Sequence, residues 1–467
     1  MPKDANGTEL NTGDSVSVIK DLKVKGASTT LKRGTTIKNI KLTSKENEIE
    51  AKVDKFGVIV LKTEFLKKNL GKNLRILLIL RGNYYAGQEE FIKENRLKDY
   101  TLDLNSLRLL SGSVSKIVSK YKNLNLKNDE ELYKILLQFL EMRMQKGEFC
   151  IINAYNETLK VYKELAKQYR YDIYIIDFKS SLEECLRKNE QKAKERGYIV
   201  SQSLLKKTHH LLERISKKYT ILNPNDWKKC LYQMPNLSKY RKIHHIGDIQ
   251  GCFSILKEYL QELEDDECYI FLGDYIDRGI ENGKVLKFLL KICERENVYL
   301  LEGNHERHLI KWANGELSSS KEFNENTLKD FRKEKLTPRD ARKFYPYLKE
   351  CLYYKFHEKQ VFCSHGGVNL LPSKAYQISF MPSYDFIYGV GNYEESQKVA
   401  SQFCEFTKDN VYQIFGHRNR TKLPVQIEKR VFLCEGKVDD GGHLRIVTLD
   451  KKGFECIELK NKVYRKK

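Results

Sequence analysis

The chain has 467 residues, which is too long for one ordinary domain and indicates two to four domains. Lys and Arg number 84 against 63 Asp and Glu, and the formal charge of +21 favours a polyanionic partner such as nucleic acid. The alternative is a basic cytosolic protein of a Lys-rich proteome. No apolar segment is long enough to cross a bilayer and the N-terminus has no apolar signal core, so we expect a cytoplasmic protein with no membrane partner.

The eleven cysteines form no CxxC pair, and several lie in apolar runs such as "EFCII" and "QVFCSHGG". Cysteines in such runs are typical of buried positions in strands. We therefore expect reduced core residues in a reducing compartment, and not a disulfide framework.

Residues 1–70 alternate apolar and polar side chains between glycine turns, which predicts a small antiparallel β-barrel. The segments "DANG", "GDSVSVIKDLKVKGAS", "LKRGTTIKNIKL" and "VIVLKTEFLKK" resemble the small C-terminal domain of the PhnA family. The cysteine-rich zinc module of that family is absent from this chain. The segment offers no catalytic side-chain pattern, so we expect a docking or binding role.

Residues 72–220, called the middle domain below, change to a strand, loop and helix pattern. "LRILLIL" is a continuous apolar run typical of a buried parallel strand, and "QEEFIKEN" has helical spacing. "NDEELYKILLQFLEMRMQKG" predicts a capped helix, and "EFCIIN" and "YDIYIIDF" predict two further strands. The alternation predicts a βαβ domain with a mainly parallel sheet.

The first loop of the middle domain, "LILRGNYYAGQEEF", has the glycine spacing of a phosphate-binding P-loop. Gly82 and Gly87 are kept, but Gln88 and Glu89 stand where that motif needs Lys and Ser or Thr. Gln88 carries no charge and Glu89 would repel phosphates, so this loop predicts no catalytic phosphoryl transfer. The following Pro- and Asn-bearing stretch, residues 221–240, is the predicted linker to the next domain.

Five clusters then follow in the last domain, residues 241–467: "HHIGDIQGCF", "IFLGDYIDRG", "LLEGNHE", "FCSHGGV" and "IFGHR". Each is an apolar run that ends in a Gly-containing turn bearing Asp, Asn or His, which places the polar residues at the carboxyl ends of strands. Converging carboxylate, amide and imidazole donors are what a pair of divalent metal ions needs. His244 and His245 lie within the first strand and are expected to pack there.

The order and wording of the five clusters resemble the calcineurin-like metallophosphoesterase superfamily over about residues 242–450. The resemblance implies an α/β fold, hydrolysis of phosphate esters and two divalent ions. It implies these ligands: Asp248 and Gln250 for the first ion, Asp274 as the bridge, and Asn304, His365 and His417 for the second. The catalytic residues it implies are His305 as the acid, Asp277 as its orienting partner, and Arg278 as the phosphate clamp, with Arg418 as a second clamp candidate.

Gln250 stands where most members of that superfamily carry His. An amide oxygen is a weaker ligand that suits Mn²⁺ or Mg²⁺ better than Zn²⁺. We therefore expect Mn²⁺, with Mg²⁺, Fe or Ni²⁺ as alternatives.

The substrate is left open by two departures from known subfamilies. "GDYIDRG" keeps an Asp that diadenosine hydrolases tend to lose, and Glu302 stands where protein phosphatases usually have a basic residue. The helical insertion at residues 312–350 is expected to roof the pocket. Trp312 and Phe344 are expected to pack inside it, with stacking on a base as the alternative. A nucleic-acid end or nucleotide is the expected substrate, and a serine/threonine-type phosphoprotein or diadenosine tetraphosphate is the alternative.

The middle domain followed by this phosphatase-like domain resembles the bacterial polynucleotide kinase-phosphatases. "LILRG", "EFIKEN", "LNSLR" and "CLRKNEQKAKERG" carry the resemblance, in which Arg187 and Arg196 are similar to arginines of a lid over nucleotide. The resemblance implies an Asp base where this chain has Asn105, and an acidic residue where it has Asn153. An inactive kinase-like domain is expected. Tyr84 and Tyr85 either contact bases or fill the space of an absent nucleotide.

Overall fold

The computed structural model describes residues 2–5, 10, 12, 16–24, 29–33, 35–37, 40–53, 56–68, 74–112, 114–118, 121–124, 128–155, 159–212 and 220–464. The chain divides into two compact units, the N-terminal unit Met1–Tyr232 and the C-terminal unit Gln233–Lys467. Over the described ranges, no helix has the length and apolar character required to cross a bilayer.

The start of the N-terminal unit consists of short antiparallel strands. They form three small sheets: Val16–Val18 with Thr36–Ile37 and Leu66–Lys68, Leu22–Lys23 with Thr30–Leu31, and Lys41–Leu42 with Glu48–Val53 and Gly57–Lys62. A 3-10 turn, Thr63–Phe65, precedes the last strand of the first sheet. Alternate residues, among them Val16, Val18, Ile49 and Ala51, share one apolar core. The all-β prediction agrees with this pairing, and closure into a barrel stays a prediction.

The middle domain is built on a parallel sheet with the domain's own first strand, Ile76–Gly82, at its centre. The strand order is Thr101–Asp103, Cys150–Ala154, Ile76–Gly82, Asp172–Phe178 and Thr220–Leu222. Crossovers run to both sides of the central strand, so the loop at residues 83–87 lies at a topological switch point, where such sheets bind ligands. The helices are Gln88–Glu94, Leu104–Leu110, Asp129–Gln145, Leu159–Tyr169, Leu182–Arg196 and Gln202–Leu212, with a 3-10 turn at Lys98–Tyr100 and a small sheet of Val114–Val118, Tyr121–Leu124 and Tyr198–Ile199.

The stretch predicted as a linker, residues 221–240, is largely structured. Thr220–Leu222 pairs with the strand Asp172–Phe178, and the 3-10 helix Pro224–Cys230 follows. Trp227 packs edge-on against Phe91 and donates its indole N–H to Asn95 Oδ1 at 3.0 Å. The division between the units falls after Tyr232, within this predicted linker.

The C-terminal unit is a sandwich of two mixed sheets. The first has the order Leu348–Lys349, Val298–Leu301, Glu267–Phe271, Lys242–Ile246, His443–Asp450 and Gly453–Lys460, and the second Cys351–Phe356, Lys359–Ser364, Val411–Phe415, Val431–Leu433 and Gln426–Glu428. Ile243 and Ile270 of the first sheet share a core with Val361 and Ile414 of the second, so the two sheets pack face to face.

Helices cover the outer faces of the sandwich and form the insertion. They are Phe253–Tyr259, Asn282–Ile292, Glu306–Ala313, Leu328–Lys333, Pro338–Phe344, Ser383–Tyr388 and Ser396–Phe406, with a π-helical turn at Phe323–Thr327 and 3-10 turns at Tyr345–Tyr347, Ala375–Phe380 and Val438–Asp440. Nine of the eleven cysteines are buried, as their apolar sequence context predicts.

Four residues predicted to pack do so. His245 is fully buried between the carbonyl of Val447 and the hydroxyl of Tyr354, and burial lowers its pKa to about 3. His244 lies stacked on Tyr269. Trp312 lies against Phe331, and Phe344 lies edge-on against Tyr275.

Candidate functional site

The nine residues predicted for the site all follow strand ends of the sandwich. The parallel strands Lys242–Ile246, Glu267–Phe271 and Val298–Leu301 end at one edge of the first sheet, and Lys359–Ser364 and Val411–Phe415 end at the same side of the second. A continuous chain of contacts links all nine predicted side chains, Asp248, Gln250, Asp274, Asp277, Arg278, Asn304, His305, His365 and His417. The structure therefore brings the nine side chains together, and their roles stay a prediction.

The side-chain oxygens of Asp274 and Asn304 lie next to one ring nitrogen of His365. Its Nδ1 lies 3.0 Å from the Leu272 carbonyl oxygen, which places the proton of a neutral ring on Nδ1 and leaves a lone pair on Nε2. This Nε2 lies 3.2 Å from Asp274 Oδ1 and 3.2 Å from Asn304 Oδ1. A histidine that donates one ring N–H to a carbonyl and turns its other nitrogen toward oxygen ligands has the arrangement of a metal ligand.

Two further buried acceptors fit the same purpose. Among the described residues, neither Gln250 Oε1 nor His417 Nε2 has a hydrogen-bond partner. The ligand atoms of Asp274, His365 and His417 all lie within 4.8 Å of one another. Buried polar atoms without partners are costly, and a divalent cation would satisfy them, so the residues present fit a metal. The amide of Gln250 donates to Asp274 Oδ2 at 2.9 Å, which leaves its carbonyl oxygen available as a ligand.

Glu435 is a member of the site that sequence reasoning missed. Its carboxylate contacts that of Asp248, and burial together with this like charge raises the pKa of Asp248 well above its ordinary value. The Asp248 carboxylate also accepts the backbone N–H of His417 at 3.2 Å. Two buried carboxylates in contact need a proton or a cation between them. The signal in the sequence was the Glu in "LCEGK", directly after the strand Val431–Leu433.

His305 and Asp277 form a tight pair beside the candidate ligands. Nδ1 of His305 lies 2.6 Å from Asp277 Oδ2, and its Nε2 lies 3.4 Å from the exposed guanidinium of Arg278. Burial would lower the pKa of His305, but the carboxylates of Asp274 and Asp277 outweigh it and raise this pKa to about 9. Thr327 donates its hydroxyl to the other Asp277 oxygen at 2.8 Å. This threonine belongs to the insertion and had no sequence signal.

The turns that carry these side chains are strained and closely packed. Gln250, Asp274, Asp277 and His417 have positive φ angles of 48°, 51°, 102° and 68°. Such conformations cost about 1–3 kcal/mol each and concentrate at functional sites. Buried Glu306 holds one of these turns, because its carboxylate accepts the backbone N–H groups of Asp274, Tyr275 and Gly303 at 2.8 to 2.9 Å.

Arg418 does not serve as a phosphate clamp. It is buried, and its guanidinium donates to the carbonyls of Tyr388, Val390 and Gly391 at 2.7 to 3.0 Å. All of these contacts are to backbone, so its charge holds the loop at residues 388–391. The candidate clamp that remains is Arg278.

In the middle domain, the glycine loop is filled by the protein's own side chains. The Gln88 amide donates to the Asn83 carbonyl at 3.1 Å, and Glu89 forms a bidentate pair with Arg196. Tyr84 stacks on Tyr155 with ring centroids 4.0 Å apart.

Tyr84 and Tyr85 are both buried, so they fill space and do not present their rings to bases. Asn105 and Asn153 both donate to the hydroxyl of Tyr155. Arg187, the other arginine predicted to lie over a nucleotide, is exposed.

Comparison with known proteins identifies two parts of the chain. A family described as calcineurin-like phosphoesterase matches residues 241–451, and one described as PhnA domain matches residues 2–69. These ranges form a calcineurin-like phosphoesterase domain and a PhnA domain, as both resemblances predicted. The calcineurin-like phosphoesterase family uses divalent metals.

Individual relatives cover the two ends separately. Protein YjdM of Escherichia coli is 58% identical over 67 residues, which are 14% of this chain and 60% of that protein. The bis(5'-nucleosyl)-tetraphosphatase PrpE of Oceanobacillus iheyensis is 28% identical over 217 residues, 43% of this chain and 84% of that protein. A solved serine/threonine protein phosphatase of Saccharomyces cerevisiae is 15% identical, with 49% of this chain and 83% of that chain covered and a TM-score of 0.35. The matches to the phosphoesterase family and to the tetraphosphatase support a phosphoester hydrolase.

Proposed function

We propose that the C-terminal unit is a metal-dependent phosphoesterase that acts on nucleotides or nucleic-acid ends. The observation that carries the proposal is the convergence of acceptor atoms of Asp274, Asn304, His365 and His417, of which His417 Nε2 has no hydrogen-bond partner among the described residues. Asp248 and Gln250, with Glu435 beside them, would hold a second ion. A bound pair of divalent ions, such as Mn²⁺, supplies a nucleophile from water at neutral pH and neutralises phosphoryl oxygens.

The remaining residues of the site support the proton transfer and the binding of phosphate. His305 donates a proton from Nε2 to the leaving oxygen, since its Nδ1 is held by Asp277. The exposed guanidinium of Arg278, next to that Nε2, binds a phosphoryl oxygen with its planar fork.

The formal charge of +21 and the name of the tetraphosphatase relative both favour a nucleotide substrate. Diadenosine tetraphosphate is therefore the second candidate, and a serine/threonine phosphoprotein is the alternative from another class. The chain spans 51% to 60% of the length of the YjdM proteins it matches, so nothing about their activity is carried over to this chain.

The experiment measures phosphate release with Mn²⁺ from a panel of substrates. The panel contains a chromogenic phosphate ester, oligonucleotides with 3′, 2′,3′-cyclic or 5′ phosphate ends, diadenosine tetraphosphate and a phosphoserine peptide. Asp274→Asn should lower kcat/KM at least about a hundredfold, because it weakens the shared ligand. Asp265→Asn, a matched change at a side chain that is 99% exposed, should have no effect. Absence of hydrolysis, or equal rates for both variants, would refute the proposal.

The middle domain, residues 72–220, is proposed to be a degenerate kinase-like domain with no catalytic role. Support comes from the glycine loop at the switch point of its parallel sheet and from the side chains that fill it. Glu89 forms an ion pair with Arg196. In a nucleotide-binding site of this kind, an arginine at this place would instead pair with the phosphates of the nucleotide. Tyr84 and Tyr155 stack in the same apolar cluster.

Nucleotide binding tests this second proposal without any dependence on phosphoesterase activity. A ligand at a hundred times its Kd stabilises a protein by about 2.7 kcal/mol, which raises its melting temperature. We expect millimolar MgATP to leave the melting temperature of the N-terminal unit unchanged. A clear shift, or transfer of phosphate from ATP to a 5′-hydroxyl oligonucleotide, would contradict the proposal.

A further inference from the structure

Three tyrosines lie at or next to the candidate metal centre, and two of them are exposed. The Tyr393 ring centroid lies 5.2 Å from that of His417, and the Tyr388 centroid lies 6.5 Å from it. Tyr384 stacks on Tyr388 at 4.2 Å, with 23° between the ring planes. Tyr384 is 48% exposed and Tyr393 is 47% exposed. Because burial of an aromatic ring is favourable, exposed rings beside a polar site indicate a surface that a flat ligand can cover.

Exposed cations accompany these rings. Arg307 donates to the Tyr388 hydroxyl at 3.1 Å, and its guanidinium lies 5.9 Å from the ring centroid. The Arg420 guanidinium lies 5.1 Å from the centroid of Tyr393. Aromatic faces interleaved with arginines are the usual way to bind a base by stacking and a phosphate by charge.

The buried Arg418 helps to fix the position of the tyrosines relative to the candidate metal centre. It follows the candidate ligand His417 directly, and its three hydrogen bonds hold the backbone of residues 388–391 between the tyrosines. Gly389 has a φ of 72°, and a Cβ there would clash with the Arg418 guanidinium. The positions of Tyr388 and Tyr393 are therefore tied to that of His417.

We propose that Tyr384, Tyr388 and Tyr393 form a stacking platform that selects phosphate esters attached to a nucleobase. The inference rests on the proposed function and names its substrate class. The base lies on the rings, Arg307 and Arg420 bind phosphates beyond the reacting one, and the reacting phosphate lies at the candidate metal centre. A mononucleotide unit of a dinucleotide and one of a nucleic-acid end have the same base and phosphate chemistry.

The test replaces one ring in two ways. Tyr393→Phe keeps the aromatic face, whereas Tyr393→Leu keeps apolar bulk without it. Steady-state kinetics with Mn²⁺ would compare diadenosine tetraphosphate, a 3′-phosphorylated oligonucleotide and glycerol 2-phosphate, which has no ring. Anisotropy of a fluorescent AMP analogue would report binding without added metal.

We expect Tyr393→Leu to raise KM for one or both base-bearing substrates, and Kd for the AMP analogue, by about tenfold. Tyr393→Phe should stay close to wild type, and the loss should be smaller for glycerol 2-phosphate. Whether KM rises for diadenosine tetraphosphate, for the oligonucleotide or for both tells whether the bound base belongs to a dinucleotide or to a nucleic-acid end. Equal losses on all three substrates, or a phosphoserine peptide preferred by wild type, would overturn the platform. Failure of wild type on every substrate would instead refute the phosphoesterase, and AMP binding would still test the platform.

Discussion

The Asp277 carboxylate is held from both sides in the candidate active site. One oxygen contacts His305 Nδ1 at 2.6 Å, and the other accepts the hydroxyl of fully buried Thr327 at 2.8 Å. Thr327 ends the π-helical turn Phe323–Thr327. Helices of this form are rare in proteins, and those that occur are often found at functional sites. The insertion therefore contributes to the orientation of the candidate acid His305 through Asp277.

We predict that Thr327→Val lowers kcat about tenfold, as loss of a supporting hydrogen bond does in comparable sites, with KM changed less. Valine keeps the shape but leaves one Asp277 oxygen without its donor, whereas Thr327→Ser keeps the hydroxyl and should restore most of the rate. Steady-state kinetics on a small phosphate ester would measure both variants. If serine and valine impair the enzyme equally, the hydroxyl has no positioning role and Thr327 contributes packing alone.

The sequence indicated the candidate metal ligands but did not indicate the residues that hold those ligands in position. Asp248, Asp274, Asn304, His365 and His417 were proposed as ligands because each follows an apolar run and a tight turn, a relation local in the chain, and the structure brings them together. Glu435 follows an apolar run in the same way, but its approach to Asp248, like those of Thr327 to Asp277 and of Glu306 to three backbone N–H groups, depends on tertiary contacts that neither spacing nor composition encodes. Arg418 was misassigned for the same reason, since the carbonyls that it binds lie about 30 residues earlier in the chain.

At the scale of elements, the turns that carry Asp274 and Asn304 are in direct contact with each other. Gly303 N–H donates to Glu306 at 2.8 Å, and a Cβ on Gly303 would clash with the backbone nitrogen of Asp274. The turn after Val298–Leu301 thus lies directly against the turn after Glu267–Phe271. The close contact between the two turns explains why residue 303 is glycine, although its φ is not positive.

We predict that Gly303→Ala abolishes measurable phosphoesterase activity, because the turn bearing Asp274 must move and ligand geometry tolerates shifts of only about 0.5 Å. The matched control is Gly315→Ala. Gly315 has a φ of 79° with open space around it, so alanine there should cost about 1 kcal/mol of stability and leave kcat intact. Rates and urea unfolding would be measured for both, and a Gly303→Ala enzyme with the wild-type rate would contradict the packing argument.

The middle domain shows where elements could be predicted and where their boundaries could not. The continuous apolar run at residues 74–80 predicted the buried strand, observed as Ile76–Gly82. The division between the units falls inside the predicted linker 221–240, but the first half of that stretch forms a strand and a 3-10 helix that Pro224 and its flanking Asn residues did not indicate. Trp227 in the same stretch packs on Phe91, an interaction that depends on a residue more than a hundred positions earlier in the chain.

At the scale of the whole molecule, each apolar core found among the described residues draws on a single unit. The two large cores of the C-terminal unit begin at Leu237 and include no residue of the N-terminal unit. The predicted catalytic and metal-binding residues also all lie within Gln233–Lys467. Length and charge predicted several domains and an anionic partner, but composition alone could not assign chemistry to one unit.

We predict that residues 233–467, expressed alone, fold and hydrolyse a small phosphate ester with kcat/KM within about threefold of the full chain, because a unit with its own core is stable by itself. Mn²⁺ dependence and the effect of Asp274→Asn should be the same in both forms. Thermal unfolding would confirm that the fragment is folded before rates are compared. A folded fragment without activity would show that the N-terminal unit supplies part of the active site, whereas loss confined to oligonucleotide substrates would locate a substrate-binding role in that unit.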